Sequence, residues 1–226
     1  MLTLYMHPIS TVSRPVSLFI AEKELPVTEK VLDLMAGEHK GAGYLAINPN
    51  GQVPSLAEGD FRMAESSAIL KYLASRFDCP EYPKDLKERA KVDEAMDWFN
   101  TNLYRDFGYG LLYPQILPHY KNEDQKVQNA IISAGRERAK KWLGVLDANI
   151  IGPAHGYVCG NTISIADYLG AAIVTTGEVI RLDYSAYPNI QRWLANMKAL
   201  RTWKSVNEGF YTHFVAPYKD TPFQGL

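Results

Sequence analysis

The sequence predicts two units of different class: an α/β unit over residues 1–77 and an all-helical bundle over residues 86–226, joined by a linker at 78–85. Three observations carry this reading. Up to Phe77 the hydrophobic period changes repeatedly between two and three-to-four, as when strands and helices alternate. Pro80 and Pro83 then interrupt any helix. Beyond them only the helical period remains.

Leu2, Leu4 and Met6 alternate with Thr3 and Tyr5, the pattern of a half-buried strand that Pro8 ends. Ser13 can cap a helix that carries Arg14 and Pro15 in its first turn, with Val16, Phe19 and Ile20 on one face. Val31, Leu32 and Leu34 predict a second strand over 28–34, and a strand–helix–strand crossover favours parallel pairing. Residues 35–51 are rich in Gly, Ala and Asn and close on Asn48-Pro49-Asn50-Gly51, which is turn chemistry. Two short apolar runs, 52–56 and 61–63, flank Glu58-Gly59-Asp60 as an antiparallel hairpin. Pro54 lies inside the first run, where proline requires an edge position or a cis bond. Glu65 and Ser66 open a helix with Ile69, Leu70, Leu73 and Phe77 on one face.

In the second unit Val92, Met96, Phe99, Leu103 and Phe107 define a long helix expected to stop at Gly108 and Gly110. Val127, Ile131, Ala134, Trp142 and Leu146 define another, ended by Gly152-Pro153. Ser164-Ile165-Ala166-Asp167 has the spacing of a capping box flanked by a hydrophobic staple, Ile163 and Tyr168. Ile190, Trp193, Leu194 and Met197 form the last clear amphipathic helix, with residues 208–226 as an aromatic tail.

Composition bounds the function. The 226 residues are 46% hydrophobic, which supplies a core and excludes disorder. Lys+Arg 24 against Asp+Glu 25 leaves a formal charge of −1, so no global field draws a nucleic acid or an acidic membrane. No apolar run approaches the ~20 residues that cross a bilayer, and no signal core follows Met1. Cys79 and Cys159 form neither a disulfide framework nor a CxxC pair, so a reducing, cytoplasmic setting is expected. The five histidines lack ligand spacing, and no metal is expected.

Strand, helix, strand, hairpin and helix in that order make a thioredoxin-like arrangement, in which ligands gather at loops preceding helix N-termini. Three such places stand out. Ser10, Thr11 and Ser13 supply hydroxyls ahead of the first helix. Val53, if followed by a cis bond, turns its N–H and C=O toward a peptide-like ligand. Glu65 and Ser66 offer a carboxylate for an ammonium and a helix start for a carboxylate. Together they suit a small zwitterionic peptide.

The chain resembles the glutathione transferase superfamily, most closely its serine-type theta-like classes. The residues that carry the resemblance are Leu2-Thr3-Leu4-Tyr5, Ser10, Arg14 and Val16, then Leu34, Gly37 and His39. Asn48-Pro49, Val53-Pro54 and Glu65-Ser66 follow in order, then Arg89, Asp93, Trp98 and the Ser164–Asp167 capping segment. The resemblance implies that Ser10 hydrogen-bonds the glutathione sulfur and that His39 contacts the glycine end. It pairs Val53 with the cysteinyl backbone, holds the glutamyl end with Glu65 and Ser66, and carries over Gln52, a less uniform position, and Pro54 as further glutathione-binding residues. It also implies a homodimer and an apolar electrophile as second substrate, in a pocket with Thr11, Tyr109 and Tyr113 as lining candidates and Phe210, Tyr211 and Phe214 as cover. Thr11 or Ser13 could compete with Ser10 as donor. Two further readings stand beside conjugation or halide displacement: a non-catalytic module of the same fold for ligands or proteins, and a glutathione-dependent peroxidase or isomerase. Arg14 is expected to hold the first helix or the domain interface, Asp167 to cap a helix, and Trp98, Phe99 and Phe107 to lie in the core.

Overall fold

The computed structural model describes all 226 residues, Met1–Leu226. Leu2, Leu4 and Met6 are buried along β1 (Leu2–Met6), and the strand pairs in parallel with β2 (Val27–Val31). On its other edge β1 pairs antiparallel with β3 (Ser55–Glu58), which turns at Gly59 into β4 (Phe61–Ala64). The sheet order is β2-β1-β3-β4, the mixed arrangement expected of a thioredoxin-like unit. Helices α1 (Arg14–Glu22), α2 (Ala42–Leu45) and α3 (Ser66–Arg76) complete it.

The second strand is shorter than the expected 28–34. Its partner β1 ends at Met6, so the ladder closes with the Leu32 N–H on the Met6 carbonyl, and Leu34 has no strand to pair with. Asp33 then accepts from the Ala36 N–H and starts a turn.

Asp85 caps α4 (Leu86–Trp98), accepting from the N–H groups of Lys87 and Glu88. The helix does not stop at Gly108. It runs on through a wider-wound stretch, Phe99–Leu112, into α5 (Tyr113–Ile116). The glycines are contact points and not terminators. A Cβ on Gly108 would overlap the Tyr104 ring, and Gly110 meets Gly135 of α6 (Gln125–Val145), where a Cβ would lie 2.2 Å from the Gly110 oxygen. Two facing glycines thus let the two longest helices approach to backbone contact.

Every residue of α7 (Ile165–Thr175) is buried. Asp167 is held there by the Ser164 N–H and hydroxyl, the Val158 N–H and the Trp193 Nε1–H, all between 2.8 and 2.9 Å. Burial pushes this carboxyl up, and the four donors act against that shift. The N-terminus of α8 (Pro188–Lys198) is capped from outside its own segment by Asp147, which accepts from the N–H groups of Asn189 and Ile190. A further helix, α9 (Trp203–Phe210), covers much of what the sequence left between the last clear helix and the tail. Its buried residues Trp203, Asn207 and Phe210 repeat at three to four positions.

The cores of the two units are continuous. One cluster of buried apolar side chains runs from Leu4 and Phe19 to Trp193 and Phe210, and Phe19 of α1 meets Tyr168 of α7 edge to face at 5.3 Å.

Two substitutions test this packing. Gly135→Ala should lower stability by about 1–3 kcal/mol, the usual cost of overpacking, measured by denaturant unfolding. Asp167→Ala should cost roughly 3 kcal/mol because it strands several buried donors at once, seen as a lower midpoint at unchanged slope.

Candidate active site

Two tight turns bring Ser10 to the start of α1. The Ser10 N–H donates to the His7 carbonyl at 3.0 Å, and the Ser13 N–H donates to Ser10 Oγ at 3.2 Å. The oxygen of Ser10 therefore does the capping expected of Ser13, whose own Oγ is buried and without a partner. The Ser10 proton is not used within the chain and stays free to donate. Ser13 cannot act as a rival donor to a ligand, because it is fully buried.

Thr11 is also withdrawn from ligand contact. It is 5% exposed and accepts from the Tyr113 hydroxyl at 2.9 Å, with its Oγ1 3.2 Å from that of Thr176. Tyr113, 7% exposed, lies 2.6 Å from the Tyr104 hydroxyl. Since Thr176 donates to the Ala172 carbonyl and Tyr113 donates to Thr11, the protons along this chain all point one way. Tyr104 gives to Tyr113, Tyr113 to Thr11, Thr11 to Thr176, and Thr176 to Ala172. Burial pushes the Tyr113 phenol up to about 12 and holds the Tyr104 phenol well above its ordinary value, so both phenols remain neutral.

Beside this chain a cavity of about 260 Å³ opens between the two units. One wall comes from the α/β unit: Val12 of the first loop, Gln52, Val53 and Pro54, then Ala64, Glu65 and Ser66, with Asn48 beneath. The facing wall is Asn100, Tyr104 and Tyr109 of the long helix. The Gln52 carbonyl is pinned by the Tyr44 hydroxyl at 2.6 Å and by Asn48 Nδ2 at 2.7 Å. The Val53–Pro54 bond is cis, and the N–H and C=O of Val53 bond to nothing in the chain. Glu65 has φ 69° and ψ 114°, a conformation costly for a residue with a Cβ and one that clusters at ligand sites. It delivers Ser66 as the first residue of α3, whose first N–H groups have no partner within the helix and no side-chain cap.

The structure thus gathers Gln52, Val53, Pro54, Glu65 and Ser66 around one space, with Tyr109 opposite at 42% exposure. Ser10 does not line that space, although Val12 two positions on does, and His39 also lies outside its wall on the turn Glu38–Lys40. Burial, and after it the Lys40 charge, lower the His39 pKa, which favours the neutral imidazole. Phe210 and Phe214 are buried and Tyr211 half-buried, and none of the three lines the cavity. Asn100 was missed by sequence reasoning. It stands one turn before Tyr104 and donates to Ser67 Oγ at 3.3 Å, and its position at i−4 from an aromatic candidate is the signal that could have found it. No group of three His, Cys, Asp or Glu side chains is arranged to hold a metal.

Residues 1–75 match the family model for the glutathione S-transferase N-terminal domain, and residues 112–200 match that for the C-terminal domain. The human protein glutathione S-transferase theta-1 is 32% identical over 168 residues, 74% of this chain and 69% of that protein. The chain belongs to the glutathione S-transferase family. Among solved structures of the family, human theta-2 in complex with glutathione and an unknown ligand superposes with a TM-score of 0.83 at 25% identity, over 100% of this chain and 94% of that one. A delta-class glutathione transferase from Nilaparvata lugens gives 0.81 at 30% identity, over 95% and 98%.

In this glutathione S-transferase one side chain ties the serine loop to the helical unit. Arg14, 1% exposed, donates to Asn207 Oδ1 at 2.8 Å and the Ala172 carbonyl at 2.7 Å, and more weakly to Thr175 and Thr176. Its guanidinium lies 3.7 Å over the Phe210 ring. No carboxylate pairs with it, and burial lowers its pKa to about 10. Arg14→Lys should therefore fail to substitute, since one ammonium cannot reach acceptors set for a planar fork. A stability loss of about 2 kcal/mol or more in denaturant unfolding is expected.

Proposed function

We propose that the protein binds glutathione in the cavity between its two units, lowers the pKa of the glutathione thiol, and directs the thiolate at an electrophilic carbon to form a thioether. The observation that carries this reading is the grouping around one cavity of an unpaired peptide backbone at Val53, a strained Glu65 and the helix start at Ser66. A γ-glutamyl tripeptide has the complementary parts. Its cysteinyl amide pairs with Val53 as a short added strand. Its glutamyl ammonium meets Glu65, and its glutamyl carboxylate meets the Ser66 hydroxyl and the N-terminus of α3. Gln52 and Pro54 shape the approach, and His39 serves the glycyl end as a neutral donor.

Ser10 donates to the sulfur. A free thiol near pKa ~8.5 is only a few per cent ionised at pH 7, and a depression of about two units requires roughly 2.7 kcal/mol of preference for the thiolate. A hydroxyl whose oxygen already accepts from a helix N–H is a stronger donor for that task. We further propose a homodimer in a cytoplasmic setting, with the chain divided into a glutathione unit at 1–77, a linker at 78–85 and a helical unit at 86–226 that receives an apolar electrophile. No helix is long and apolar enough to cross a membrane.

Ser10→Ala should raise the pKa of bound glutathione by about two units, read as loss of thiolate absorbance near neutral pH. It should lower kcat/KM about a hundredfold while the glutathione Kd changes little. Unchanged thiolate absorbance would remove Ser10 from this role. Ser66→Ala should act differently, weakening glutathione binding about tenfold by calorimetry as one charge-assisted hydrogen bond is lost.

A further inference from the structure

We propose that His7 is a positioning residue for Ser10: its unprotonated Nδ1 holds the turn that presents the serine, and uptake of a proton at that nitrogen releases the turn. The inference rests on the glutathione reading above and concerns a side chain outside the cavity wall. His7 follows the last residue of β1 and opens the turn His7-Pro8-Ile9-Ser10, closed by the Ser10 N–H on the His7 carbonyl at 3.0 Å. Proline at the second position presets the backbone angle such a turn requires. Inside the turn the Ile9 N–H donates to His7 Nδ1 at 3.2 Å. A side-chain acceptor two residues back is the bond that Asn and Asp make at the head of a turn, and here an imidazole makes it.

An amide oxygen accepts at every pH, but an imidazole nitrogen does not. Nδ1 accepts only while it carries no proton, which puts the proton of the neutral ring on Nε2. After protonation both ring nitrogens are donors, and Nδ1–H meets the Ile9 N–H donor to donor. Reversal of the Pro8–Ile9 peptide would relieve that contact, but it requires positive φ at Ile9, which is β-branched and lies outside the left-handed region. Nor is Pro8 free to move toward the helical unit, because it packs on Gly209 of α9, where an added Cβ would lie 2.9 Å from Pro8 Cβ. The turn therefore opens on the Ser10 side, and Ser10 leaves the position in which its Oγ accepts the Ser13 N–H.

Three influences set the pH at which this happens. Burial opposes the charged ring, Asp33 in the turn after β2 favours it, and His213, in the wider-wound stretch Tyr211–Val215 after α9, opposes it. Together they lower the His7 pKa. The intact turn is thus fully present above the ordinary histidine value and is lost as pH falls through the lowered one.

The test titrates the thiolate absorbance of bound glutathione in the unaltered protein, His7→Asn and His7→Leu. Asn sets Oδ1 in the place of Nδ1 and takes up no proton, whereas Leu removes the acceptor. His7→Leu is expected to raise the thiol pKa by about one unit, a tenfold loss of thiolate on the acid side, with the glutathione Kd unchanged. His7→Asn should restore the unaltered value. In the unaltered protein the logarithmic loss of thiolate should steepen at its acid end from about one proton to about two, while His7→Asn stays at one. In the free protein, nitrogen NMR should find the proton of neutral His7 on Nε2. A proton on Nδ1, one-proton curves in both proteins, or thiolate that increases as His7 is protonated would overturn the assignment. If glutathione bound to the unaltered protein shows no thiolate absorbance, the proposed function itself fails. If it does and the three curves coincide, only the role of His7 falls.

Discussion

A buried guanidinium without a counter-ion holds this structure together. Removing a cation from water is costly unless its hydrogens find acceptors, and the lowered pKa of Arg14 records that cost. The acceptors are neutral: the Asn207 amide, two threonine hydroxyls and the Ala172 carbonyl near the C-terminal end of α7, where the helix dipole is negative. All belong to the helical unit, while Arg14 is the first residue of α1. The position of α1, and so of the loop that carries Ser10, depends on the helical unit being in place.

The same logic extends outward along α1. Its C-terminal end is tied down where Glu22 accepts from the Thr202 N–H and hydroxyl, and where Lys23 meets Glu81 at 2.8 Å. Arg201 adds an exposed contact with Glu24. Exposed pairs of that kind contribute little. The buried end contributes more, because an unsatisfied partner there cannot turn to water. The cavity inherits its geometry from this division. Its wall on the α/β side is set by local backbone features at Val53 and Glu65, and its tyrosine wall by a hydroxyl chain that passes through Thr11, next to Ser10. The two walls are mechanically connected through the loop between them.

Much of this was legible residue by residue. The strand at 2–6, the helix after Ser13, the hairpin around Gly59 and the capping segment at 164–167 all follow from period, turn residues and capping chemistry, which act over a few positions. The grouping of Gln52, Val53, Pro54, Glu65 and Ser66 was also readable, since each sits at a break in local structure. What escaped was the identity of partners. Thr11 and Tyr113 carry pocket-like chemistry but are consumed by each other across the two units. Gly108 and Gly110 look like helix ends, yet the close approach of α6 turns them into packing surfaces.

The sequence by itself determined the classes of the two units, the order of their elements and the backbone breaks at Val53 and Glu65 that line one wall of the cavity, because hydrophobic period and backbone preference are local properties. Only the tertiary structure decided that Ser10 and not Ser13 receives the helix N–H, and that Tyr104 and Tyr113 join a buried hydroxyl chain while Tyr109 stays exposed. It alone gave Arg14 its acceptors. Arg14 and Asn207 lie 193 positions apart. A hydrogen bond over that separation is created by chain packing and leaves no pattern in the residues on either side.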